Sequence, residues 1–305
     1  MYFGRRKEEA MYKILEAKEL TTNIYKWVVE APRCAANCEP CQFVIVRSHA
    51  DSERVPLTIC DYDKEKGTVT IVVQVIGEAT YLMTSLKEGD YFHDFVGPLG
   101  RPSDFVEEDI EEVKKRKYLF VAGGLGTAPV YPQVKWLHEH GIDADVIVGA
   151  KTKDLLIMED EMKSVAGNLY ITTDDGSYGR SGMVTKVVED LYAEGKKYDI
   201  CVTIGPMIMM KFVCLLTKKL ELPTIVSMNP IMVDGTGMCG ACRLKVGDEI
   251  KFACVDGPEF DGHLVDFDGA MKRQLMYKTK EGRAYLAAKE GETHHGGCGH
   301  CGGDN

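Results

Sequence analysis

The chain has 305 residues, 45% of them hydrophobic and 28% charged, and its 37 Lys and Arg against 47 Asp and Glu leave a formal charge of −10. That length suits two or three domains of about 100–200 residues each. The acidic balance argues against nonspecific nucleic-acid binding while leaving room for local basic pockets, and no apolar run reaches the roughly 18–20 residues of a membrane span. The start, Met1-Tyr-Phe-Gly-Arg-Arg-Lys-Glu-Glu, has no apolar stretch ahead of small residues. A cytoplasmic protein is therefore expected, in which 11 cysteines point to metal or redox chemistry rather than disulfides.

The first hundred residues carry short β-rich runs between turn residues: 13–20, 24–30, 43–47 and 69–76. Their spacing predicts an antiparallel barrel of about six strands. A charged stretch from Glu107 to Lys117 follows Gly97-Pro-Leu-Gly100, and from Tyr118 the pattern changes. Strands at 118–122, 145–149, 168–172 and 199–204 alternate with helical segments such as 130–140 and 183–194, which predicts a doubly wound parallel sheet. The last part holds a glycine- and cysteine-rich loop, a helix expected over about 270–289, and a tail rich in Gly, His and Cys. The division expected is 1–105, 106–225 and 226–305.

Two loops suit phosphates. Gly123-Gly-Leu-Gly-Thr-Ala-Pro129 follows a strand and opens a helix, so unobstructed N–H groups and the helix N-terminus can meet a pyrophosphate. Pro129 stands where the dinucleotide fingerprint has its third glycine. Asp174-Asp-Gly-Ser177 and Gly205-Pro-Met207 also follow strands, the place where open α/β sheets bind ligands. In the barrel, Arg54-Val-Pro-Leu-Thr58 offers a guanidinium and a hydroxyl, and Gly77-Glu-Ala-Thr80 a small turn able to approach a second diphosphate.

The most informative stretch runs from Asp234 through Cys239 and Cys242 to Cys254. It matches the plant-type [2Fe–2S] spacing, with Asp234 where the first cysteine would stand. Gly235, Gly237 and Gly240 let the backbone wrap closely and aim N–H groups at sulfides. A zinc knuckle or inert buried thiols are the alternatives. Among the other cysteines, Cys60, Cys201 and Cys214 sit among apolar neighbours and read as small buried hydrophobes. Cys34, Cys38 and Cys41, and the tail His294-His-Gly-Gly-Cys298-Gly-His-Cys301, concentrate thiols in exposed-looking sequence where either group could hold a further metal.

Taken in order, Arg54-x-Pro-Leu-Thr58, Gly77-x-x-Thr80, Gly97-Pro-Leu-Gly100, Gly123-Gly-x-Gly-x-Ala-Pro129, Gly205-Pro-Met207 and Asp234-x4-Cys239-x2-Cys242-x11-Cys254 resemble the ferredoxin-reductase-like electron-transfer subunits, over nearly the whole chain. Within that family the likeness is strongest to the small subunits of electron-bifurcating NADH-dependent reduced ferredoxin:NADP oxidoreductases, also called sulfide dehydrogenase beta subunits, whose cluster has one Asp and three Cys ligands. Dihydroorotate dehydrogenase electron-transfer subunits share the architecture with four cysteines. The resemblance implies a barrel holding FAD through Arg54, Pro56, Leu57, Thr58, Gly77, Glu78, Ala79 and Thr80. It implies an α/β domain binding NAD(H) through Gly124, Gly126, Thr127, Ala128, Pro129, Asp174, Asp175, Gly205, Pro206 and Met207. It further implies a cluster on Asp234, Cys239, Cys242 and Cys254 that serves a large flavin and iron–sulfur partner subunit, and ferredoxin indirectly. No side-chain acid or base is required, because a flavin converts between hydride and single-electron chemistry. Lys151 and Lys153 could still favour a 2′-phosphate. The rival expectations are an electron-transfer subunit for dihydroorotate oxidation, a stand-alone ferredoxin-linked flavin reductase, and a binding module without turnover.

Overall fold

A computed structural model describes residues 12–291. Its first hundred residues form β1 (Tyr12–Thr21), β2 (Ile24–Glu30), β3 (Phe43–Arg47), β4 (Val55–Asp63), β5 (Thr68–Gln74), β6 (Tyr91–Phe92) and β7 (Asp94–Leu99), with the short helices α1 (Pro32–Ala35) and α2 (Glu78–Met83) between them. The strands pair antiparallel in the order β6-β1-β2-β5-β4-β3-β7. Only His93 separates β6 from β7, the two edges of this sheet, so the sheet bends round until its edges nearly meet. Alternation along β2 and β5 turns Trp27, Val29, Val69, Ile71 and Val73 inward, where they pack with Phe92 and Phe95. The Trp27 indole N–H donates to the Leu86 carbonyl at 3.2 Å, so the large ring is buried without an orphaned donor. The barrel sheet has seven strands where about six are expected.

Two short helices, α3 (Asp104–Glu107) and α4 (Ile110–Val113), occupy the charged connection. The alternating segment then gives β8 (Tyr118–Gly123), α5 (Thr127–Glu139), β9 (Asp145–Ala150), α6 (Glu159–Val165), β10 (Asn168–Thr173), β11 (Arg180–Ser181), α7 (Val184–Ala193), β12 (Ile200–Ile204), α8 (Met207–Lys219) and β13 (Thr224–Ser227). Every residue of β8 is buried, as a central parallel strand covered on both faces requires. The chain ends with a hairpin, β14 (Arg243–Val246) and β15 (Glu249–Phe252), then β16 (Glu259–Asp261), α9 (Phe267–Gln274) and α10 (Lys278–Gly291). β16 pairs antiparallel with β13 and completes the wound sheet, whose order is β11-β10-β9-β8-β12-β13-β16.

The helix expected over about 270–289 is two helices, interrupted at Leu275–Tyr277. The break lets α10 turn back onto the barrel. There Tyr285 meets Tyr81 of α2 edge-on, with ring centroids 5.6 Å apart, and the Lys289 ammonium lies 4.8 Å from the Tyr285 ring centre. The cluster segment has no separate core. Cys242, Leu244, Ala253, Cys254 and Phe267 pack with Phe43 and Ile45 of the barrel and with Met207, Met210 and Cys214 of α8.

Candidate functional site: two nucleotide clefts and a four-ligand loop

The order of the parallel strands reverses between β8 and β12, and there the two glycine loops touch. Gly124 adopts φ +54°, open to L side chains only at a cost, and a Cβ there would meet nothing within 4 Å. A Cβ on Gly126 would lie 2.1 Å from the Ile204 carbonyl oxygen. Gly126 is thus demanded by the approach of α5 to β12, while Gly124 leaves room above the helix N-terminus. A Cβ on Gly205 would come within 3.1 Å of the Gly123 backbone, so the loops after β8 and β12 line one crevice, the topological switch point at which such sheets bind ligands. Pro206 is exposed at its rim. Thr127, Ala128 and Met207 are drawn into packing instead. Thr127 is buried with its hydroxyl donating to the Gly124 carbonyl at 3.0 Å, and Ala128 joins Ile24, Cys60, Val72 and Ile157 between barrel and sheet. Half-buried Pro129 sits in the first turn of α5, where a missing N–H costs nothing.

Asp174 and Asp175 lie exposed on the loop after β10, across β9 from the glycine crevice. The Asp175 carboxylate accepts the Ser177 N–H at 3.0 Å, and the hydrogen bonds from Ser177 hold it below the usual carboxylate range. Lys153 borders the same loop: its N–H donates to the Ser177 hydroxyl at 2.9 Å and its ammonium lies 5.1 Å from the Tyr178 ring centre. Lys151 is exposed close by.

In the barrel, Arg54 is exposed at the head of β4, followed by half-buried Pro56, Leu57 and Thr58 paired with Ile45, Val44 and Phe43 of β3. Thr80 holds its own turn together. Its hydroxyl accepts the N–H groups of Ile76 at 3.0 Å and Gly77 at 3.1 Å and donates to the Gly77 carbonyl at 3.0 Å. It therefore builds the turn. Gly77 faces open space, with Glu78 half-buried and Ala79 buried behind it. The barrel and wound sheet meet along β4 and α5, where Lys135 pairs with Asp61 at 2.8 Å.

The loop from Asp234 to Cys242 rests on the barrel. Gly235, Gly237 and Gly240 take φ of +76°, +87° and +64°, and a Cβ on Gly235 would stand 2.5 Å from Ile45 Cδ1. The Asp234 carboxylate accepts the N–H groups of Thr236 and Cys239, both at 2.9 Å. The Thr236 bond, followed by those from Cys239 and the charge of Arg54, holds its carboxyl below the usual range. Cys239 is exposed and its sulfur receives the Ala241 N–H at 3.5 Å. Cys242 and Cys254 are buried with their sulfurs 3.3 Å apart, and burial together with the Cys242 thiol pushes Cys254 up to about 12. Among the described residues no three His, Cys, Asp or Glu side chains converge on one ion position. Cys242 and Cys254 already stand as a pair, and Cys239 is tied to Asp234 through its backbone N–H.

Sequence reading missed the residues that brace this loop. Arg273 of α9 donates to the Ala241 carbonyl at 3.0 Å, and Arg243 to Gly240 at 3.0 Å. No local pattern announces Arg273, which lies 31 residues beyond Cys242 in sequence. Cys60, Cys201 and Cys214 are buried, as expected. Cys34, Cys38 and Cys41 are buried as well, contrary to their exposed-looking sequence. Cys34 and Cys38 face each other at 3.8 Å in the barrel core, and Cys41, though buried, is not part of that core cluster. The tail cysteines and histidines lie outside the described residues.

An antiparallel barrel joined to a wound sheet with a switch-point crevice, and a thiol loop seated on the barrel, is the architecture of ferredoxin-reductase-like oxidoreductases. Residues 229–266 match the iron–sulfur cluster binding domain of dihydroorotate dehydrogenase B. The chain is 62% identical to a Clostridium beijerinckii protein from the adh 3′ region over 96% of this chain and 100% of that one. It is 44% identical to a Thermotoga maritima homologue of the dihydroorotate dehydrogenase B (NAD(+)) electron transfer subunit, over 90% of this chain and 95% of that one. A solved chain from work on flavin-based electron bifurcation by the NADH-dependent reduced ferredoxin-NADP oxidoreductase superposes with a TM-score of 0.83 at 43% identity, covering 91% of this chain and 98% of its own. The chain belongs to the family of dihydroorotate dehydrogenase B electron transfer subunits and their homologues.

Proposed function

We propose that this chain is the electron-transfer subunit of a flavin-based, electron-bifurcating NADH-dependent reduced ferredoxin:NADP oxidoreductase. FAD, NAD(H) and a [2Fe–2S] cluster are its working set. The observation that carries the reading is Asp234. Its carboxylate is held at the cluster loop by two backbone N–H groups, in the position where a subunit serving dihydroorotate oxidation would present a fourth thiolate. When bound, the flavin converts a two-electron hydride into single electrons that an iron–sulfur cluster can take.

The residues divide the labour. Arg54 and Thr58 on β4 and the Gly77–Thr80 turn hold the flavin nucleotide, the first by charge and the last by open backbone. Gly124, Gly126, Gly205 and Pro206 shape the nicotinamide crevice, with Asp174 and Asp175 on its far wall. Lys153, bordering the loop that holds Asp175, keeps that wall from being purely acidic, so NADPH is the comparison nucleotide. Asp234, Cys239, Cys242 and Cys254 hold the cluster on the face where Cys239 is exposed beside Met238, which is 89% exposed, and Val233 at 51%. That face suits a large flavin and iron–sulfur partner subunit, with ferredoxin served through it. The three functional segments are 1–105, 106–225 and 226–305. Among the described residues no helix is long and apolar enough to cross a membrane, which accords with a cytoplasmic assembly.

Anaerobic stopped-flow absorbance tests the proposal. NADH bleaches the flavin of the isolated chain within the dead time or seconds, and added NADP yields no NADPH until the partner subunit is supplied. Efficient NADPH formation by this chain alone would overturn the subunit assignment.

A further inference from the structure

The turn between Cys239 and Cys242 presents its carbonyls to two arginines. Arg243 opens β14 and lays its guanidinium back on the Gly240 carbonyl at 3.0 Å, while Arg273 reaches the Ala241 carbonyl at 3.0 Å from α9, 32 positions along the chain. Arg273 stands in the last turn of α9, where a cation ordinarily settles on the final carbonyls of its own helix. It points at the loop instead. Phe267 and Ala270, 6% and 5% exposed, anchor the inner face of α9 in the core that also holds Cys242 and Cys254, and Arg273, three residues beyond Ala270, continues that face.

The two bonded carbonyls belong to successive peptides. In a trans peptide the N–H points opposite to the C=O, so a guanidinium on one end polarises the donor at the other. In the peptide joining Gly240 to Ala241, Arg243 holds the carbonyl and the N–H is directed at the Cys239 sulfur at 3.5 Å. Arg273 stands in the same relation to the peptide joining Ala241 to Cys242. Both guanidiniums stay charged at any working pH. A [2Fe–2S] centre held by one carboxylate and three thiolates is a dianion that becomes a trianion when it takes an electron, so positive charge and N–H donors beside its sulfurs favour the reduced form. The formal charge of the whole chain, −10, works the other way.

We propose that Arg243 and Arg273 tune the redox centre: through the carbonyls of Gly240 and Ala241 they polarise the peptides of the Cys239–Cys242 turn and raise the midpoint potential of the cluster, beyond holding the loop in shape. The inference rests on the reading of Asp234, Cys239, Cys242 and Cys254 as [2Fe–2S] ligands. The two arginines differ in weight. Arg273 is half-buried and Arg243 exposed, so the charge of Arg273 is screened less by water and salt.

Anaerobic spectroelectrochemistry of the full chain loaded with FAD and cluster tests this on the wild type, Arg273→Gln, Arg273→Lys and Arg243→Gln. Glutamine can keep a hydrogen bond to the carbonyl without the charge; lysine keeps both. Arg273→Gln should lower the reduced-to-oxidised ratio of the cluster at a fixed potential about three- to tenfold, a midpoint about 30–60 mV more negative, with its [2Fe–2S] electron-spin signal retained, and Arg273→Lys should restore most of that loss. Arg243→Gln should shift the midpoint the same way but less, and the shift should shrink as salt is added. Intact clusters with unmoved midpoints in both glutamine variants would reduce the arginines to braces and overturn the proposal, as would a shift in Arg273→Lys as large as that in Arg273→Gln. If Arg273→Gln lost its cluster, Arg243→Gln, altered at an exposed position, would decide alone. A wild type without a [2Fe–2S] signal would overturn the reading of the loop itself, before any variant is compared.

Discussion

Gly126→Ala should separate the structural from the binding use of the glycine crevice. The new methyl would begin 2.1 Å from the Ile204 carbonyl oxygen and 2.7 Å from its carbon, while ordinary contact begins near 3.4 Å. The clashing atoms are backbone in the centre of a sheet, so no side chain can rotate away. Helix α5 must retreat from β12 by roughly an ångström, a core overpacking worth about 1–3 kcal/mol. For a chain of this size that corresponds to a fall in Tm of about 2–5 °C. The same retreat moves the crevice floor, and a shift on this scale can cost up to about 100-fold in a hydride-transfer rate that depends on alignment. Gly124→Ala makes the counterpart: its methyl meets no protein atom, so the folding penalty is only that of φ +54°, about 1–2 kcal/mol, with no displaced helix, and a loss of NADH affinity beyond it reports the crevice space itself. Differential scanning fluorimetry and NADH stopped flow on both variants, with FAD loaded, give the comparison. If Gly126→Ala matched wild type in Tm and in flavin reduction, the close approach of α5 to β12 would be wrong.

Asp234→Cys should retain a [2Fe–2S] cluster and shift its reduction potential, since a thiolate is a softer donor than a carboxylate; unchanged spectroelectrochemistry and electron-spin spectra would mean Asp234 is not a ligand. Arg54→Ala should weaken FAD about 10- to 100-fold, the loss of one charge-assisted contact of about 1.5–3 kcal/mol, read by flavin fluorescence on dilution, and an unaltered affinity would remove Arg54 from the flavin site. Thr80→Val, which deletes the hydroxyl holding the Ile76–Gly77 turn, should lower flavin affinity and Tm together, whereas loss of affinity at unchanged Tm would make Thr80 a direct contact instead. Iron and zinc analysis of a Cys34→Ala, Cys38→Ala double variant should match wild type, because both thiols lie inside the barrel core; lost metal would assign them a site.

How much was readable in the sequence followed from how local each signal was. The glycine loop after β8 is written within seven residues and the thiol spacing within 21, both short enough to be read along the chain. Strand β4 was not among the expected strands, because Pro56 inside Val55–Asp63 argues against one and the phosphate-site reading of Arg54 to Thr58 drew attention from its pairing. Strand β16 has three residues, too few for any periodicity. The interruption at Leu275–Tyr277 carries neither Gly nor Pro, so the chain reads as one helix until α10 finds Tyr81. Cys41 looked like an exposed chelator because its spacing to Cys34 and Cys38 is short; its neighbours Pro40 and Gln42 are held by Ser103 and Gly100, from about 60 positions away, which no local rule can see.

Strand β16 also limits how this chain can be cut or recombined. The cluster loop looks like an appended module, yet the residues just past Cys254 supply the border of the wound sheet. Removing everything after β13 would bare a row of unpaired N–H and C=O groups at that border, an invitation to edge-to-edge aggregation. Swapping the iron–sulfur loop between relatives would therefore have to carry Glu259–Asp261 along with the cysteines, and selection on the redox centre and on the nucleotide domain has to act through the same short piece of backbone.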